Sequence, residues 1–173
     1  MERMAQVVHT QFPAGRRVLA ISDIHGNLPF LQGLLAKAGY TSEDILVLVG
    51  DLIEKGPDSL GLLRYVMELS RRGTVYCLRG NCDSLVCDFL FGRWQPLADF
   101  YRIFAGKWGE HFLPVQMGRE IGFPYTGVDD LPALEAAIRP HFAAESAFLE
   151  AMPEILLTPD YPFVHGGVDD EDH

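Results

Sequence analysis

The chain has 173 residues, 48% of them hydrophobic, and a formal net charge of −10. That is enough length for one domain with a real core, and the acidic balance argues against duplex nucleic acid or an anionic membrane as a partner, since both need a basic face. No stretch approaches a membrane-spanning length and Met1 to Arg17 lacks a signal-peptide core, so the sequence reads as a single cytoplasmic domain over residues 1–173. A phosphorylated substrate remains open, because bound divalent ions supply the local positive charge it would need. Cys77, Cys82 and Cys87 form no CxxC pair and cannot all pair within one chain, which favours reduced thiols.

Along the chain, Arg17 to Ser22 is a short apolar run ending at Asp23, and the spacing predicts a helix from Pro29 to Ala38. Ile45 to Val49 is nearly all branched aliphatic without polar alternation, the pattern of a strand covered on both faces, and it ends at Gly50-Asp51. Asp58 to Arg72 places its apolar residues along one helical stripe. Thr74 to Leu78 reads as a third strand leading into Arg79-Gly80-Asn81. Strands alternating with helices predict a parallel sheet, an α/β class, with ligands gathered beyond the carboxyl ends of the strands. From Ser84 to about Pro153 the pattern turns to aromatic-rich helical stretches with a Gly/Pro-punctuated loop over Gly109 to Gly127, read as a helical cap insertion. Tyr161 to Val164 is a last strand ending at His165, and Asp169 to Asp172 is an acidic terminus.

Three apolar runs thus end on potential ligands, and a fourth ends on His165. Asp23 and His25 can project from one loop toward one ion, Asp51 can bridge two, and Asn81 and His165 can hold the second. Carboxylate, imidazole and amide donors suit manganese, with iron, zinc or nickel as alternatives. Two ions about 3.5 to 4 Å apart polarise a phosphoryl group and stabilise both attacking and leaving oxygens. Cys77, Cys87 and the aromatic residues from Phe89 to Trp108 fit a packed core, while His111 and His141 have no neighbouring donor in the sequence.

The blocks Ser22–Asn27 (SDIHGN), Gly50–Ser59 (GDLIEKGPDS), Arg79–Asp83 (RGNCD) and Val164–Val168 (VHGGV) resemble the calcineurin-like metallophosphoesterase superfamily. They look most like the branch holding serine/threonine phosphoprotein phosphatases and symmetrical diadenosine tetraphosphatases. The resemblance implies a four-layer α/β/β/α sandwich and a dinuclear site, with Asp23, His25 and Asp51 on one metal and Asp51, Asn81 and His165 on the other. It implies hydrolysis of a phosphoester on a phosphoprotein, nucleotide or small molecule, with Asp51, Cys82 and Asp83 catalytic. Cys82 stands where the branch has a leaving-group histidine, and Asp83 is the acid beside it. Lys55 aligns with a phosphate-binding arginine, and Arg79 is a second candidate anchor. Either cation could instead form a structural ion pair with Glu54 or Asp83. The family's further downstream histidine has no counterpart before His173, so the chain is expected to be C-terminally truncated, with an incomplete second sheet. A phosphodiesterase, or a silent metal- or partner-binding domain, remains the alternative.

Overall fold

The computed structural model describes residues 5–167. Val168, the acidic run and His173 lie outside the described residues.

Strands β2 (Val18–Ile21), β3 (Ile45–Val49) and β4 (Thr74–Leu78) form a parallel sheet with β3 at its centre. Helices α1 (Leu28–Lys37) and α2 (Ser59–Arg72) make the two crossovers. Both helices begin one residue away from the predicted starts because of their caps. Asn27 Oδ1 accepts the Phe30 N–H at 3.2 Å, and Asp58 Oδ1 accepts the Gly61 N–H at 2.8 Å. The apolar run in β3 earns its all-aliphatic composition by burial on both faces: Ile45, Leu46, Val47 and Leu48 are completely inaccessible.

Two strands were not expected. β1 (Val7–His9) pairs in parallel with β5 (Ile155–Leu157), and β5 pairs antiparallel with β6 (Pro162–Val164) to give a second three-stranded sheet. Three residues are too few to show a period, and β1 pairs with a strand nearly 150 positions away, Val7 opposite Ile155. Ile45, Val47 and Leu78 of the first sheet meet Leu156 of the second, with Val8, Phe12 and Phe163 around them. The opposite face of the first sheet, through Leu46 and Leu48, packs on the helices. The described residues therefore make three of the four expected layers. On the far side of the second sheet Val7, His9 and Pro162 are exposed.

Between β4 and β5 the chain is helical, with α3 (Asn81–Leu90), α4 (Gln95–Trp108), α5 (Leu113–Glu120), α6 (Leu131–Ile138) and α7 (Ala143–Ala151). The loop predicted over Gly109 to Gly127 is wrong in its middle, where α5 lies. Pro114 sits in the first turn, where its missing N–H costs nothing. Gly118 is there for close packing, since a Cβ would lie 2.6 Å from Leu134 Cδ1 on α6. These helices share one core with the first sheet, in which Phe89, Tyr101, Phe112 and Phe142 are the largest fully buried side chains.

Candidate metal centre

The segments after β2, β3, β4 and β6 converge on one spot. Three backbone hydrogen bonds stitch the first loop to the second: Asp23 N–H to Gly50 O (3.2 Å), His25 N–H to Asp51 O (2.9 Å) and Gly26 N–H to Leu52 O (2.7 Å). Among the described residues, the non-glycine positions with left-handed backbone are Asp23 (φ 56°), His25 (φ 48°), Asp51 (φ 49°), Glu54 (φ 71°) and Lys55 (φ 66°). Each costs roughly 1 kcal/mol or more, and strain concentrated in two touching loops marks a site where side-chain direction matters more than local comfort. Gly50 (φ +75°) permits a close approach to His165, because a Cβ there would lie 2.7 Å from its ring.

Asp51, 3% exposed, stands at the centre. Its Oδ2 is 3.6 Å from His25 Nε2, and its Oδ1 is 3.5 Å from His165 Nε2. His25 Nε2 is also 3.7 Å from Asp23 Oδ1, while His165 Nε2 is 3.3 Å from Asn81 Oδ1. Two ligands of one ion sit roughly 3.4 Å apart when each is about 2.1 Å from it in tetrahedral geometry, so these separations fit shared coordination. The donors group in two overlapping sets, Asp23 with Asp51 and His165, and His25 with Asp51 and Cys82. Both imidazoles are aimed by backbone carbonyls. His165 Nδ1 lies 2.9 Å from Val49 O and His25 Nδ1 lies 3.5 Å from Ile53 O, which turns each Nε2 toward Asp51. The donor set fits divalent metal, and all five expected ligands, Asp23, His25, Asp51, Asn81 and His165, come together.

Lys55 joins them. Its Nζ is 3.7 Å from Asp51 Oδ2 and 3.3 Å from His25 Nε2, at the edge of the cluster where a phosphate oxygen can reach it. Cys82 is present but buried, its backbone N–H donating to Asp51 Oδ1 at 3.0 Å. Burial, reinforced by the Asp51 charge, pushes its thiol up to about 12.

Two further candidates turn inward. Arg79 does not face the cluster: its guanidinium is wholly buried beneath α7, donating to the carbonyls of Leu149 (2.8 Å) and Glu150 (2.6 Å) and pairing with Glu154 at 3.3 Å. The helix leaves its last carbonyls unsatisfied, and the arginine completes them. Asp83 is likewise internal. One oxygen accepts the Leu52 and Ile53 N–H groups (3.1 and 3.3 Å) and the other accepts Gly80 N–H at 2.8 Å. It braces the Asp51 loop against the start of α3, and burial pushes its carboxyl up to about 6.

Glu54, expected only as an ion-pair partner of Lys55 or Arg79, has another place. Fully buried, it accepts the Leu113 N–H at the start of α5 through Oε1 (2.7 Å), while its Oε2 and the buried Tyr101 hydroxyl form no hydrogen bond of good geometry. Burial pushes it up to about 8. An acidic residue in a run otherwise apolar, Leu52-Ile53-Glu54, was the available signal. His111, on the helical side, places Nδ1 3.1 Å from the Lys55 carbonyl oxygen and belongs to neither donor set.

Residues 16–172 match the family model for calcineurin-like phosphoesterases. The chain belongs to that family. Serine/threonine-protein phosphatase 1 of Salmonella typhimurium is 39% identical to it over 74 residues, 42% of this chain and 32% of the relative. The symmetrical bis(5′-nucleosyl)-tetraphosphatase of Photorhabdus laumondii is 52% identical over 64 residues, 36% of this chain and 22% of the relative. Both alignments therefore span a third or less of the relatives. A crystal structure described as that of a candidate diadenosine tetraphosphatase superposes with a TM-score of 0.61 at 24% identity, covering 98% of this chain and 58% of that one. The calcineurin-like phosphoesterase fold is thus shared along the described chain. The family is dinuclear-metal dependent, in keeping with the two donor sets around Asp51.

Proposed function

We propose that this chain hydrolyses phosphoesters with two divalent ions, manganese by preference, held by Asp23, His25, Asp51, Asn81 and His165. The observation that carries the reading is Asp51, whose two carboxylate oxygens face two different histidines, His25 and His165. Bound divalent ions supply positive charge and Lewis acidity to the phosphoryl oxygens. The chain supplies the rest. Gly50, Val49 O and Ile53 O fix the direction of both imidazoles, and Asp83 ties two N–H groups of the Asp51 loop, Leu52 and Ile53, to Gly80 N–H at the start of α3. Lys55 draws a phosphate anion to the cluster against the acidic background of the protein. Water attacks phosphorus, the bond to the ester oxygen breaks, and phosphate and an alcohol leave.

A phosphomonoester is the preferred substrate class, borne by a phosphoprotein, a nucleotide or a small molecule. A phosphodiester is the second reading, favoured by a buried thiol, Cys82, beside Asn81 in place of an imidazole. The three buried, reduced cysteines support a cytoplasmic setting, and among the described residues no helix is long and apolar enough to cross a membrane. Hydrolysis of p-nitrophenyl phosphate and of its bis ester with added Mn²⁺ separates the two readings. Faster metal-dependent turnover of the monoester is expected, and no metal-stimulated turnover of either compound refutes both.

A further inference from the structure

Next to the metal-ligand cluster the helical segment opens a cleft of about 670 Å³, whose lining includes Lys107, Trp108, His111, Phe112, Arg119 and Tyr125. Two of these residues also touch Lys55. The Trp108 ring centroid is 5.9 Å from Lys55 Nζ, and His111 Nδ1 is 3.1 Å from the Lys55 carbonyl oxygen. Lys55 Nζ in turn lies 3.3 Å from His25 Nε2. Lys55 thus stands between the cleft and the cluster.

The chemistry of the lining is aromatic and cationic. Trp108 and Tyr125 are half-buried, which leaves ring surface accessible, and Phe112 below them is held rigid by parallel stacking on Tyr101 at 3.5 Å between centroids. Lys107 Nζ stands 4.5 Å over the Trp108 ring, and the nearest carboxylate oxygen to Arg119 NH2 is that of Glu110 at 3.9 Å. In a chain of net charge −10, Lys107 and Arg119 outnumber Glu110 in the lining, with Lys55 beside Trp108, a balance that favours an anionic ligand that also carries a flat ring. A simple alkyl or peptide serine ester would leave both the rings and the outer cations unused.

We propose that this cleft is a subsite for a planar aromatic group, an aryl ring or a nucleobase, carried on the leaving side of the phosphoester. The proposal rests on the hydrolytic reading above, and the test separates the two. Calorimetric titration of the Mn²⁺-loaded chain with methylphosphonate, phenylphosphonate and the phosphonomethyl analogue of adenosine monophosphate measures the contribution of the ring without turnover. The ring should tighten binding about ten-fold over methylphosphonate, the effect of one stacked base or ring. Trp108→Ala and Tyr125→Ala should each reduce that ratio toward one. A gain confined to the adenosine analogue identifies a nucleobase site, and an equal gain with phenylphosphonate identifies a general aryl site.

A second arm needs no metal: in Trp94→Phe, Trp108 is the sole indole, and adenosine or phenol should quench its fluorescence. Methylphosphonate binding with no aromatic advantage overturns the subsite and leaves the hydrolytic reading standing. Quenching without any phosphonate binding does the reverse, and the absence of both overturns the two together. An aromatic advantage that survives both alanine variants also rejects the cleft.

Discussion

The loops after β2 and β3 and the helices from α3 to α7 are built on opposite terms. In the loops, charged residues occupy left-handed backbone, Asp23, His25, Asp51, Glu54 and Lys55 among them, and the polar atoms of Asp23, His25, Asp51 and Lys55 approach to 3.3–3.7 Å. In the helices, apolar residues such as Phe89, Tyr101 and Phe112 pack in ordinary geometry. Strain is therefore confined to where donor atoms must converge. The two regions meet at a few specific contacts: Glu54 with Leu113 N–H, Ser59 Oγ with His111 O at 3.4 Å, and the Lys55 carbonyl with His111. One region holds the chemistry and the other shapes its approach. The two candidate phosphate anchors fall on either side of that division, Lys55 at the cluster and Arg79 under α7.

The largest effect is expected at the point both donor sets share. Asp51→Asn should lower metal-dependent turnover by more than about 100-fold, beyond the loss expected from an outer-shell partner alone. Steady-state assays with p-nitrophenyl phosphate check this, and near-normal turnover would remove Asp51 from the centre.

The contrast between the cations comes next. Arg79→Met should cost about 3 kcal/mol of stability, the low end for breaking a buried pair because Glu154 keeps some solvent contact. Lys55→Met should leave stability within about 0.5 kcal/mol and instead raise KM for phosphoesters. Urea denaturation set beside kinetics tests both, and the account of these two residues fails if their effects are exchanged.

Gly50→Ala is smaller in stability, about 1 to 2 kcal/mol for the left-handed backbone, but its Cβ would also push His165 away from Asp51. Metal affinity should fall with it. A thermal melt that drops without any loss of Mn²⁺ affinity would make Gly50 a structural residue only.

The smallest effect is one of pH. Glu54 binds its proton up to about 8 in the folded chain against the ordinary 4.5. Between these values the folded state holds more protons than the unfolded state, so stability from this residue is present below pH 4.5 and is lost as pH rises toward 8. Glu54→Gln should flatten that decline. Melting temperatures of both proteins at pH 5 and pH 8 measure it, and parallel declines would contradict the assignment.

Much of the site was legible because the parallel sheet obeys local rules. Ile45 to Val49 announces a doubly covered strand by composition, and the residues at its end point where such sheets bind ligands. Asp23, His25, Asp51 and Asn81 could thus be placed together from that rule, whereas His165 ends β6 of the second sheet and was legible only through its sequence block. β1 and β5 were not legible, since three residues carry no period and their pairing spans most of the chain. Nor was α5, because Pro114 and Gly118 imitate a loop while serving a helix start and a helix–helix contact. Arg79 and Asp83 sit in a sequence block that suggests chemistry, yet the unsatisfied carbonyls of α7 and the N–H groups of the Asp51 loop claim them. A block motif gives the spacing of side chains along the strand end; it does not say which of them turns inward.

The most direct test of a centre organised around one shared carboxylate is calorimetric titration of the chain and of Asp51→Asn with Mn²⁺. The wild-type chain should bind the ion, and the variant should lose binding at both donor sets together. Unchanged stoichiometry and affinity in Asp51→Asn would contradict the account.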